Sequence, residues 1–582
     1  MKPSKSFANP LLVPLLLLTI FPGCSRRSTH DKSAVHLSLP ARIKGLDPIQ
    51  QNDVYTGIQI AYTFEPLLEY HYLKRPYQLV PRLAESMPEV SKDKVTYTIR
   101  LRSGIRFQDD PAFPGGKGRE VTARDFVYSW KRLANPKNTA TGWWVLDGKV
   151  EGLNEWRETA SKSGKADYDS PVSGLNAKDD RTLVVRLKRP SAVFLHALAT
   201  LPTSVVPREA VEKYGEDFGQ HPVGTGPYVL KENVPGSRLV WDKNPNYHQA
   251  LYPADGEAGD QKAGLLEDAG QPLPRNDRII THINEESMPL WLSFQAGELD
   301  LSAIPKDSMG DAVPGGVKLS PALEEKGIRL LTFPQIDLTR VSFNFGDPFL
   351  AKNKLVRQAL SLAFDTEQMT KTFYNGNAIS SQGPIPPGLA GYDPSFRNPW
   401  RETNLEKAKA LLAKAGYPGG KGLPALDFVS VASASSRQVS EYIQRQFAQL
   451  GVKLNVQAFS WPEYVMRVKN KQGQVWSFGW QAFYPDAENF LQLFYGKNGA
   501  PGPNDMNYVN PAFDALYEKA VTLLDEKERI PLYREMQKIV ADDVPCIFGL
   551  HRTDKLLAQP WLRNVKMHNF AYDQAKYYRL QR

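Results

Sequence analysis

The chain has 582 residues, of which 41% are hydrophobic and 23% are charged, an ordinary composition for a globular protein. The formal net charge of +9 comes from Lys and Arg scattered along the chain. There is no dense basic run and no basic stripe interleaved with aromatic residues, so the sequence argues against a nucleic-acid partner. Because one hydrophobic core seldom organises more than about 300 residues, we expect two or three lobes.

The N-terminus has the layout of a bacterial signal peptide over residues 1–24: lysines first, then an apolar run at residues 11–21, then Gly23-Cys24. The run covers about eleven residues, whereas a membrane-spanning helix needs roughly 20, so we expect cleavage. Gly23-Cys24 resembles a lipobox, and the only other cysteine is Cys546. We therefore expect Cys24 to be lipidated and to anchor the chain to a membrane in the bacterial periplasm or cell envelope. The alternatives are a secreted protein in which Cys24 has no role and an uncleaved anchor, against which the short apolar run broken by Pro14 argues.

Strand and helix patterns alternate in the first half of the chain. Residues 94–101 alternate apolar and polar side chains, which predicts a half-buried strand, and residues 181–187 repeat the pattern. Thr122 is a good N-cap with Asp125 three residues on, so a helix is expected to begin there. These patterns predict an α+β arrangement.

A surface loop or insertion is expected at residues 251–275. Residues 251–275 are rich in Gly, Ala, Asp and Pro and have no periodicity, and a strand pattern follows at residues 278–283. The sequence contains no internal repeat of fixed period, which argues against solenoids and propellers.

Helical patterns with glycine stops predominate from residue 353 onward. Asp365 can cap a helix with Gln368 closing the capping box, and Gly376 ends it. Asn404 caps the next helix, which Gly416 stops. The series ends with a helix whose apolar face is Val439, Ile443, Phe447 and Leu450. A strand at residues 452–458 follows, and its apolar face is expected to be Val452, Leu454, Val456 and Ala458. Helix, glycine and strand recur, which predicts an α/β lobe.

Short segments spread over nearly the whole mature chain carry a family resemblance. They are Leu46-Asp47-Pro48, Phe64-Glu65-Pro66-Leu67, residues 97–107, 121–130, 222–228 and 295–300, Asn344, residues 356–360, and Gly479-Trp480 followed by Pro485-Asp486. Each is weak alone. Together and in this order, they make the chain resemble the family 5 extracytoplasmic solute-binding proteins of ABC importers, a group that includes oligopeptide-, dipeptide-, nickel- and heme-binding receptors.

The resemblance implies a mixed α/β, bilobal periplasmic-binding-protein-like fold (class II, large type) with three domains and a two-strand hinge. It implies a discontinuous domain I at residues 25–69, 190–336 and 549–582, an inserted domain II at residues 70–189, and an α/β domain III at residues 337–548. The hinge strands are expected near residues 335–345 and 543–550. Closing such a hinge buries a ligand and creates the shape that a permease recognises.

Two motifs that could suggest catalysis have simpler interpretations. Residues 224–227 (Gly-Thr-Gly-Pro) lack the Lys-Ser/Thr that opens a P-loop helix, so a turn is predicted. Residues 295–300 contain Glu298 and Asp300, but a helix C-cap followed by a strand is favoured over an acid/base pair. Because neither Gly-x-Ser-x-Gly nor His-Glu-x-x-His occurs, we predict no enzymatic activity and no catalytic residue.

Metal binding has little support in the sequence. The nine His residues are dispersed, and none forms a His-x-x-x-His pair. We therefore predict no metal site and no cofactor. Heme stays open as a captured ligand, because one axial His or none would suffice in a cleft.

The resemblance also implies that the charged anchors of peptide-binding members are missing here. Those members have an Asp that pairs with the α-ammonium of a peptide, an Arg six residues earlier that holds a carboxylate, and a Glu two residues before the Asn of the domain III strand. The matching residues are Phe483, Ser477 and, before Asn344, Ser342. A buried charge needs a partner. Phe483 is therefore expected to wall a more apolar pocket, unless Asp486 replaces the missing Asp.

Aromatic residues complete the set of candidates. The resemblance places Trp143-Trp144 and Trp461 against the ligand, and Trp480 shares a strand face with Trp476 and Phe478. Aromatic walls bind by contact area and stacking, but each ring could equally be a core residue. The candidate ligand-binding residues are Trp143, Trp144, Ser342, Asn344, Trp461, Ser477, Trp480, Ala482, Phe483, Asp486 and Asn504.

The predicted function is that of the substrate-binding lipoprotein of an ABC importer, which captures a peptide or peptide-like ligand between its lobes. The expected partners are the solute, an ABC permease in the inner membrane, and the membrane through the lipid anchor. We expect a monomer. The alternatives are a receptor for a non-peptide solute or for signalling, and an exported hydrolase.

Overall fold

The computed structural model describes residues 31–582 except Lys44, Asn52, Thr139 and Pro501. The predicted signal peptide and Cys24 lie outside the described residues. All elements named below belong to one unit, Ser33–Arg582. In this described range, no helix is long and apolar enough to cross a bilayer.

Strands and helices alternate along most of the described chain. The strands are β1 (Val35–Leu39), β2 (Leu68–Tyr70), β3 (Leu79–Pro81), β4 (Glu89–Val90), β5 (Thr96–Arg100), β6 (Leu175–Asp179), β7 (Thr182–Arg186), β8 (Tyr228–Val234), β9 (Arg238–Lys243), β10 (Arg278–Ile283), β11 (Leu301–Ala303), β12 (Arg329–Pro334), β13 (Asp337–Phe343), β14 (Ala378–Ser380), β15 (Leu426–Val431), β16 (Leu454–Phe459), β17 (Val475–Gln481), β18 (Cys546–Phe548), β19 (Leu550–Ala558), β20 (Leu562–Arg563) and β21 (Arg579–Leu580). The α-helices are α1 (Val54–Ala61), α2 (Ala123–Ala134), α3 (Leu153–Ser163), α4 (Phe194–Ala197), α5 (Arg208–Tyr214), α6 (Ser287–Gln295), α7 (Met309–Ala312), α8 (Pro321–Glu325), α9 (Pro348–Lys352), α10 (Lys354–Ala363), α11 (Thr366–Tyr374), α12 (Leu405–Lys414), α13 (Ala434–Ala448), α14 (Trp461–Lys469), α15 (Glu488–Leu491), α16 (Pro511–Ala520) and α17 (Glu526–Asp543).

Lobe 1 contains an eight-stranded mixed sheet in the order β12-β19-β11-β1-β10-β9-β8, in which β14 also pairs with β19. A smaller sheet, β4-β5-β7-β6, shares one hydrophobic core with it. The alternation predicted for β5 and β7 is confirmed, because Tyr97 lies opposite Val185 and Ile99 opposite Leu183, with all four side chains buried. The helix predicted at Thr122 is α2, and the Thr122 N–H donates to Asp125 Oδ2 at 2.8 Å.

The loop predicted at residues 251–275 contains no helix or strand. It is not confined to the surface, however. Tyr252, Leu265 and Leu273 are buried in a small cluster with Tyr72 and Tyr577. The rings of Tyr72 and Tyr577 stack with their centroids 3.9 Å apart. Apolar burial therefore holds this segment in place without a regular hydrogen-bonding pattern.

Lobe 2 contains a five-stranded sheet in the order β16-β15-β17-β13-β18. We define lobe 2 as β13 to β18 with the elements between them, except β14, which pairs with β19 in the lobe 1 sheet, and lobe 1 as the rest of the described chain. Asp365 and Asn404 cap α11 and α12 as predicted. Gln368 does not close a capping box, since its side-chain amide donates to Thr372 Oγ1 at 3.3 Å. The strand predicted at residues 452–458 is β16, but Val456 is 37% exposed because β16 lies at the sheet edge.

Two adjacent chain passages join the lobes. β12 continues through Gln335 and Ile336 into β13, and β18 returns through Gly549 into β19. β13 pairs with β18 and β12 pairs with β19, both antiparallel. The Gly549 N–H donates to the Thr339 carbonyl at 2.9 Å. The predicted bilobal fold with a two-strand hinge is confirmed.

The Gly-Thr-Gly-Pro segment forms the turn that the sequence predicts. Its glycines are needed because the chain at residues 62–64 passes very close. A Cβ at Gly224 would lie 2.1 Å from the Thr63 carbonyl oxygen, and the Gly226 N–H donates to that oxygen at 2.8 Å. Close backbone packing therefore explains both glycines without a phosphate.

The carboxylate of Asp300 has a structural role. α6 ends at Gln295, Gly297 adopts φ +77°, and β11 follows, as predicted. Asp300 is fully buried and accepts hydrogen bonds from the His36 N–H at 2.8 Å and the Trp561 indole N–H at 2.7 Å. These bonds tie the start of β11 to β1 and to the C-terminal segment.

Candidate functional site

The two lobes contact each other through aromatic side chains. Trp144, in the short 3-10 turn Trp143–Val145 of lobe 1, lies 4.9 Å from Phe483 and 6.5 Å from Tyr484 of lobe 2, measured between ring centroids. Trp144 is 39% exposed and Phe483 is 42% exposed. The structure thus brings together two predicted site residues from opposite lobes, and solvent reaches both rings.

Three further rings of lobe 2, together with Phe483, form a group that we call the aromatic row. Its members are Trp461, Phe478, Trp480 and Phe483. Trp480 lies 5.7 Å from Phe483, edge to face, and Trp461 stacks on Phe478 at 6.0 Å. Trp461 is 57% exposed. The sequence prediction that Trp476 shares a face of β17 with Phe478 and Trp480 is confirmed by the strand register, but Trp476 is a core residue with no exposed surface.

Two other predicted residues near the row are parts of the framework. The Ala482 N–H donates to the Ile336 carbonyl at 2.9 Å, which ties the end of β17 to the hinge. Trp143 packs on the core of lobe 1, with the Arg157 guanidinium 5.2 Å from its ring centroid. Ser477 lies on the opposite face of β17 from Phe478, so the structure does not bring it together with the row.

Asp486 is buried inside lobe 2. Its carboxylate accepts hydrogen bonds from Arg529 Nη2 at 2.6 Å, the Tyr533 hydroxyl at 2.7 Å and the Glu488 N–H at 2.9 Å. Burial tends to raise the pKa of Asp486, but the nearby charges, that of Arg529 first, and the hydrogen bonds to the carboxylate together outweigh burial, so the pKa is lowered. An ionised carboxylate already held by three donors has little capacity left for a ligand ammonium.

The remaining predicted polar residues are also buried. Asn344 Nδ2 donates to the carbonyls of Lys471 at 3.1 Å and Gly473 at 2.9 Å. Asn504 Nδ2 donates to the carbonyls of Tyr495 at 3.0 Å and Tyr508 at 2.8 Å. Ser342 has no exposed surface. Contact of these three residues with a ligand stays a prediction.

A lysine and a glutamate from opposite lobes lie beside the Trp144 contact. Lys149 Nζ donates to the carbonyls of Trp144 at 2.9 Å and Val145 at 2.8 Å. Burial lowers the pKa of Lys149 to about 8, and Glu488 of lobe 2 acts against this shift. Burial also raises the pKa of Glu488, which accepts hydrogen bonds from the hydroxyls of Tyr484 and Tyr517. The two charges attract each other across the gap between the lobes.

Comparison with known proteins gives the family of the chain and a role for the contact between its lobes. The sequence profile described as bacterial extracellular solute-binding proteins, family 5 Middle, matches residues 78–502. The chain belongs to this family. It therefore has a solute-binding role, and the gap between its lobes, where Trp144 meets Phe483, is the candidate binding cleft.

Individual relatives of this family 5 solute-binding protein match over most of their length. Heme-binding protein A of Haemophilus influenzae is 26% identical over 514 residues, covering 86% of this chain and 84% of the relative. The dipeptide-binding protein of Escherichia coli (strain K12) is 28% identical over 498 residues, covering 84% and 83%. The structure of the ABC transporter-associated periplasmic binding protein DppA from Helicobacter pylori, in complex with the peptide STSA, matches with a TM-score of 0.71 and 22% identity, covering 94% of this chain and 98% of that one.

Sequence reasoning missed His196 of this family 5 protein. Its Nδ1 lies 3.0 Å from the Tyr70 hydroxyl within lobe 1, and its ring stacks on Tyr484 of lobe 2 at 5.7 Å. A lone His in an apolar stretch carries no sequence signal for such a contact. Burial lowers the pKa of His196 to about 4, although Asp486 acts in the opposite direction.

Lowering the pH from neutral to about 4.5 is expected to lower the free energy of unfolding. The contribution of His196 to this loss is expected to be about 2 kcal/mol. The unfolded His196 takes up a proton near pH 6.5, whereas the folded one stays neutral down to about pH 4, so acid favours the unfolded state within that window. Urea unfolding of the wild type and His196→Asn across this pH range measures the effect. The variant should lose less stability on acidification, and an equal loss in both proteins would contradict the assignment.

Among the described residues, no group of three or more His, Cys, Asp or Glu side chains is placed to hold a metal ion. Asp486, which lies close to this contact in sequence, is instead paired with Arg529. The described contact between the lobes is formed by apolar and aromatic surface.

Proposed function

We propose that the chain is the substrate-binding lipoprotein of an ABC importer. In this proposal Cys24 carries the lipid anchor, the cleft between the lobes captures a solute outside the cytoplasm, and an inner-membrane permease receives it without chemical turnover. The observation that supports it most directly is the contact between Trp144 of lobe 1 and Phe483 of lobe 2 at 4.9 Å, in a chain whose lobes are joined by two strands. Rings that meet when the lobes close can hold a ligand between them.

The domain boundaries are part of the same proposal. Residues 25–69, 190–336 and 549–582 form domain I, residues 70–189 form domain II, and residues 337–548 form domain III. The strand bounds support the limits of domain III, because the hinge passages lie at residues 335–336 and at Gly549. The anchored receptor works as a monomer.

The proposed ligand is a peptide or peptide-like solute. The named relatives include a dipeptide-binding protein, and the matching solved structure holds a peptide. Phe483 stands where the resemblance places the ammonium anchor, and Asp486 is occupied by Arg529 and Tyr533. The cleft is therefore proposed to select ligands by their apolar and aromatic surface, with the candidate residues Trp144, Trp461, Trp480 and Phe483 in contact with them.

Replacing Trp144 or Phe483 with Ala is expected to weaken ligand binding at least tenfold, because each change removes one wall of the cleft. Fully burying a large apolar side chain such as Phe contributes about 1.5–3 kcal/mol, and a tenfold change in affinity corresponds to about 1.4 kcal/mol. The chain from Ser25 onward would be titrated by calorimetry with di- to octapeptides, free and N-acetylated. Small-angle scattering would record lobe closure.

The matched control is Leu292→Ala, which removes an apolar side chain that is 57% exposed on α6 of lobe 1. It should bind as the wild type does. If the wild type, Trp144→Ala and Phe483→Ala bind the ligand with equal affinity, the binding site lies elsewhere in the molecule. If the wild-type lobes close on no peptide but do close on another solute, the proposed receptor role stands and the proposed peptide ligand is wrong.

A further inference from the structure

His196 of lobe 1 lies where the two lobes meet. Its ring stacks on Tyr70 of lobe 1, with the centroids 6.0 Å apart, and on Tyr484 of lobe 2, with the centroids 5.7 Å apart. The interplanar angles are 19° and 15°. Tyr70 is 4% exposed and Tyr484 is 6% exposed, whereas His196 is half-buried. A side chain of lobe 2 therefore covers part of the imidazole ring.

Two other contacts between the lobes lie beside this one. The Ala192 N–H, just before α4, donates to the carbonyl of Val521 in lobe 2 at 2.9 Å. Tyr484 also stacks on Trp144 of lobe 1, with the centroids 6.5 Å apart. Because the lobes are joined by two hinge passages, opening the hinge would draw Tyr484 away from His196 and let water reach the imidazole.

The groups that face His196 give a proton on its ring little compensation. The Tyr70 hydroxyl of β2, which is neutral, lies 3.0 Å from Nδ1. Lobe 2 contributes the ring of Tyr484 and the charges of Asp486 and Arg529, which are paired with each other at 2.6 Å. Burial lowers the pKa of His196 to about 4, and of the two charges only Asp486 acts against this shift. A charged imidazolium is therefore disfavoured while the lobes are in contact.

We propose that protonation of His196 opens the lobes, so that the receptor holds its solute at neutral pH and releases it in acid. The open form takes up a proton below about pH 6.5, where a solvated His titrates, whereas the closed form takes one up only near pH 4. Acid therefore favours the open form between these two values. Release of a solute rests on the proposed receptor role, whereas the opening itself needs only the two lobes and the hinge.

Two further titratable groups lie at the same contact and act differently. Glu488 accepts a hydrogen bond from the Tyr484 hydroxyl, and burial raises its pKa. Loss of that burial on opening would make acid favour the closed form, which is the opposite direction. Lys149 has a pKa of about 8 and stays mostly charged from neutral pH downward. Opening in acid is therefore the specific result expected of His196.

Single-molecule energy transfer measures the opening in the chain from Ser25 onward, with dyes on Lys162→Cys in α3 of lobe 1 and Arg437→Cys in α13 of lobe 2. Both native side chains are exposed, and the buried Cys546 should not react. The ratio of closed to open molecules should fall about tenfold or more from about pH 7 to about pH 5, because the open form holds the additional proton. Far-UV circular dichroism at the lower pH checks that the chain stays folded.

Neutral replacements of His196 assign the effect. His196→Phe keeps a ring against Tyr484 and His196→Asn does not, but neither can be protonated, so the ratio should change less than about twofold in both. The matched control is His221→Asn, because His221 is an exposed histidine of lobe 1 that stacks on Tyr214. It should respond to pH as the wild type does.

A wild type whose ratio does not respond to pH, or responds as strongly in both His196 variants, would overturn the inference. If neither variant folds, the wild-type transition decides: a midpoint between about pH 4 and 6.5 supports the inference, and a midpoint outside that range overturns it. The receptor proposal is tested separately by solute binding. A chain that binds solutes without a pH response loses only the switch, and one that opens in acid but binds no solute loses only the receptor role.

Discussion

Replacing Arg529 with Met is expected to lower the free energy of unfolding by about 3–5 kcal/mol, because the change leaves the Asp486 carboxylate buried without its cation. Asp486 is 1% exposed, and Arg529 Nη2 lies 2.6 Å from its Oδ2. The Tyr533 hydroxyl and the Glu488 N–H would remain as donors, but neither carries a charge. Urea unfolding at neutral pH, followed by far-UV circular dichroism, measures the loss.

The double variant Asp486→Asn/Arg529→Met separates the charge from the packing. It keeps the size of both side chains close to the wild type and removes the isolated charge, so it should recover part of the stability lost in Arg529→Met. A single variant that loses less than about 1 kcal/mol would show that Arg529 is not the principal partner of Asp486. A double variant no more stable than the single one would assign the loss to packing.

Replacing Gly549 with Val is expected to cost about 3 kcal/mol of unfolding free energy and to disturb the hinge. A Cβ at Gly549 would lie 2.8 Å from the Thr339 carbonyl oxygen and 2.9 Å from Thr339 Oγ1. The Gly549 N–H is hydrogen-bonded to that same carbonyl at 2.9 Å, so neither strand can move aside without breaking the contact between the two hinge passages. Urea unfolding and small-angle scattering with ligand measure stability and closure.

Gly479→Val is the matched control for the hinge. Gly479 lies on β17 opposite the same residue, Thr339, but a Cβ there meets nothing within 4 Å. Valine is favoured in strands, so this change should be neutral or slightly stabilising. Equal losses at both positions would contradict the steric explanation at Gly549.

The sequence was sufficient for most of the fold because local signals and apolar periodicity act together. β5 and α2 were predictable from side-chain alternation and from the Thr122 cap, and both signals survive in the structure. Val456 departs from expectation because edge position depends on which strand pairs beyond it, and pairing partners are distant in sequence. The buried cluster in residues 251–275 was hidden for the same reason, since Tyr577 completes it from the other end of the chain.

Residue patterns alone predicted the candidate site only where aromatic residues follow a strand, whereas Trp144 and Phe483 were predicted from the family resemblance. The row on β17 could be read from alternation, whereas its contact with Trp144 depends on how the lobes meet. His196 gave no signal for the same reason.

The position of β19 in the sequence affects the order in which the two sheets can be completed during folding. β19 lies between the edge strand β12 and β11 in the lobe 1 sheet, yet it follows all of lobe 2 in the sequence. During synthesis, β11 and β12 therefore wait with unpaired edges while more than two hundred further residues emerge. Such edges are prone to pair with other chains. Lobe 2 can complete its own sheet first, so a chain cut before residue 550 is expected to aggregate through lobe 1 while lobe 2 still folds.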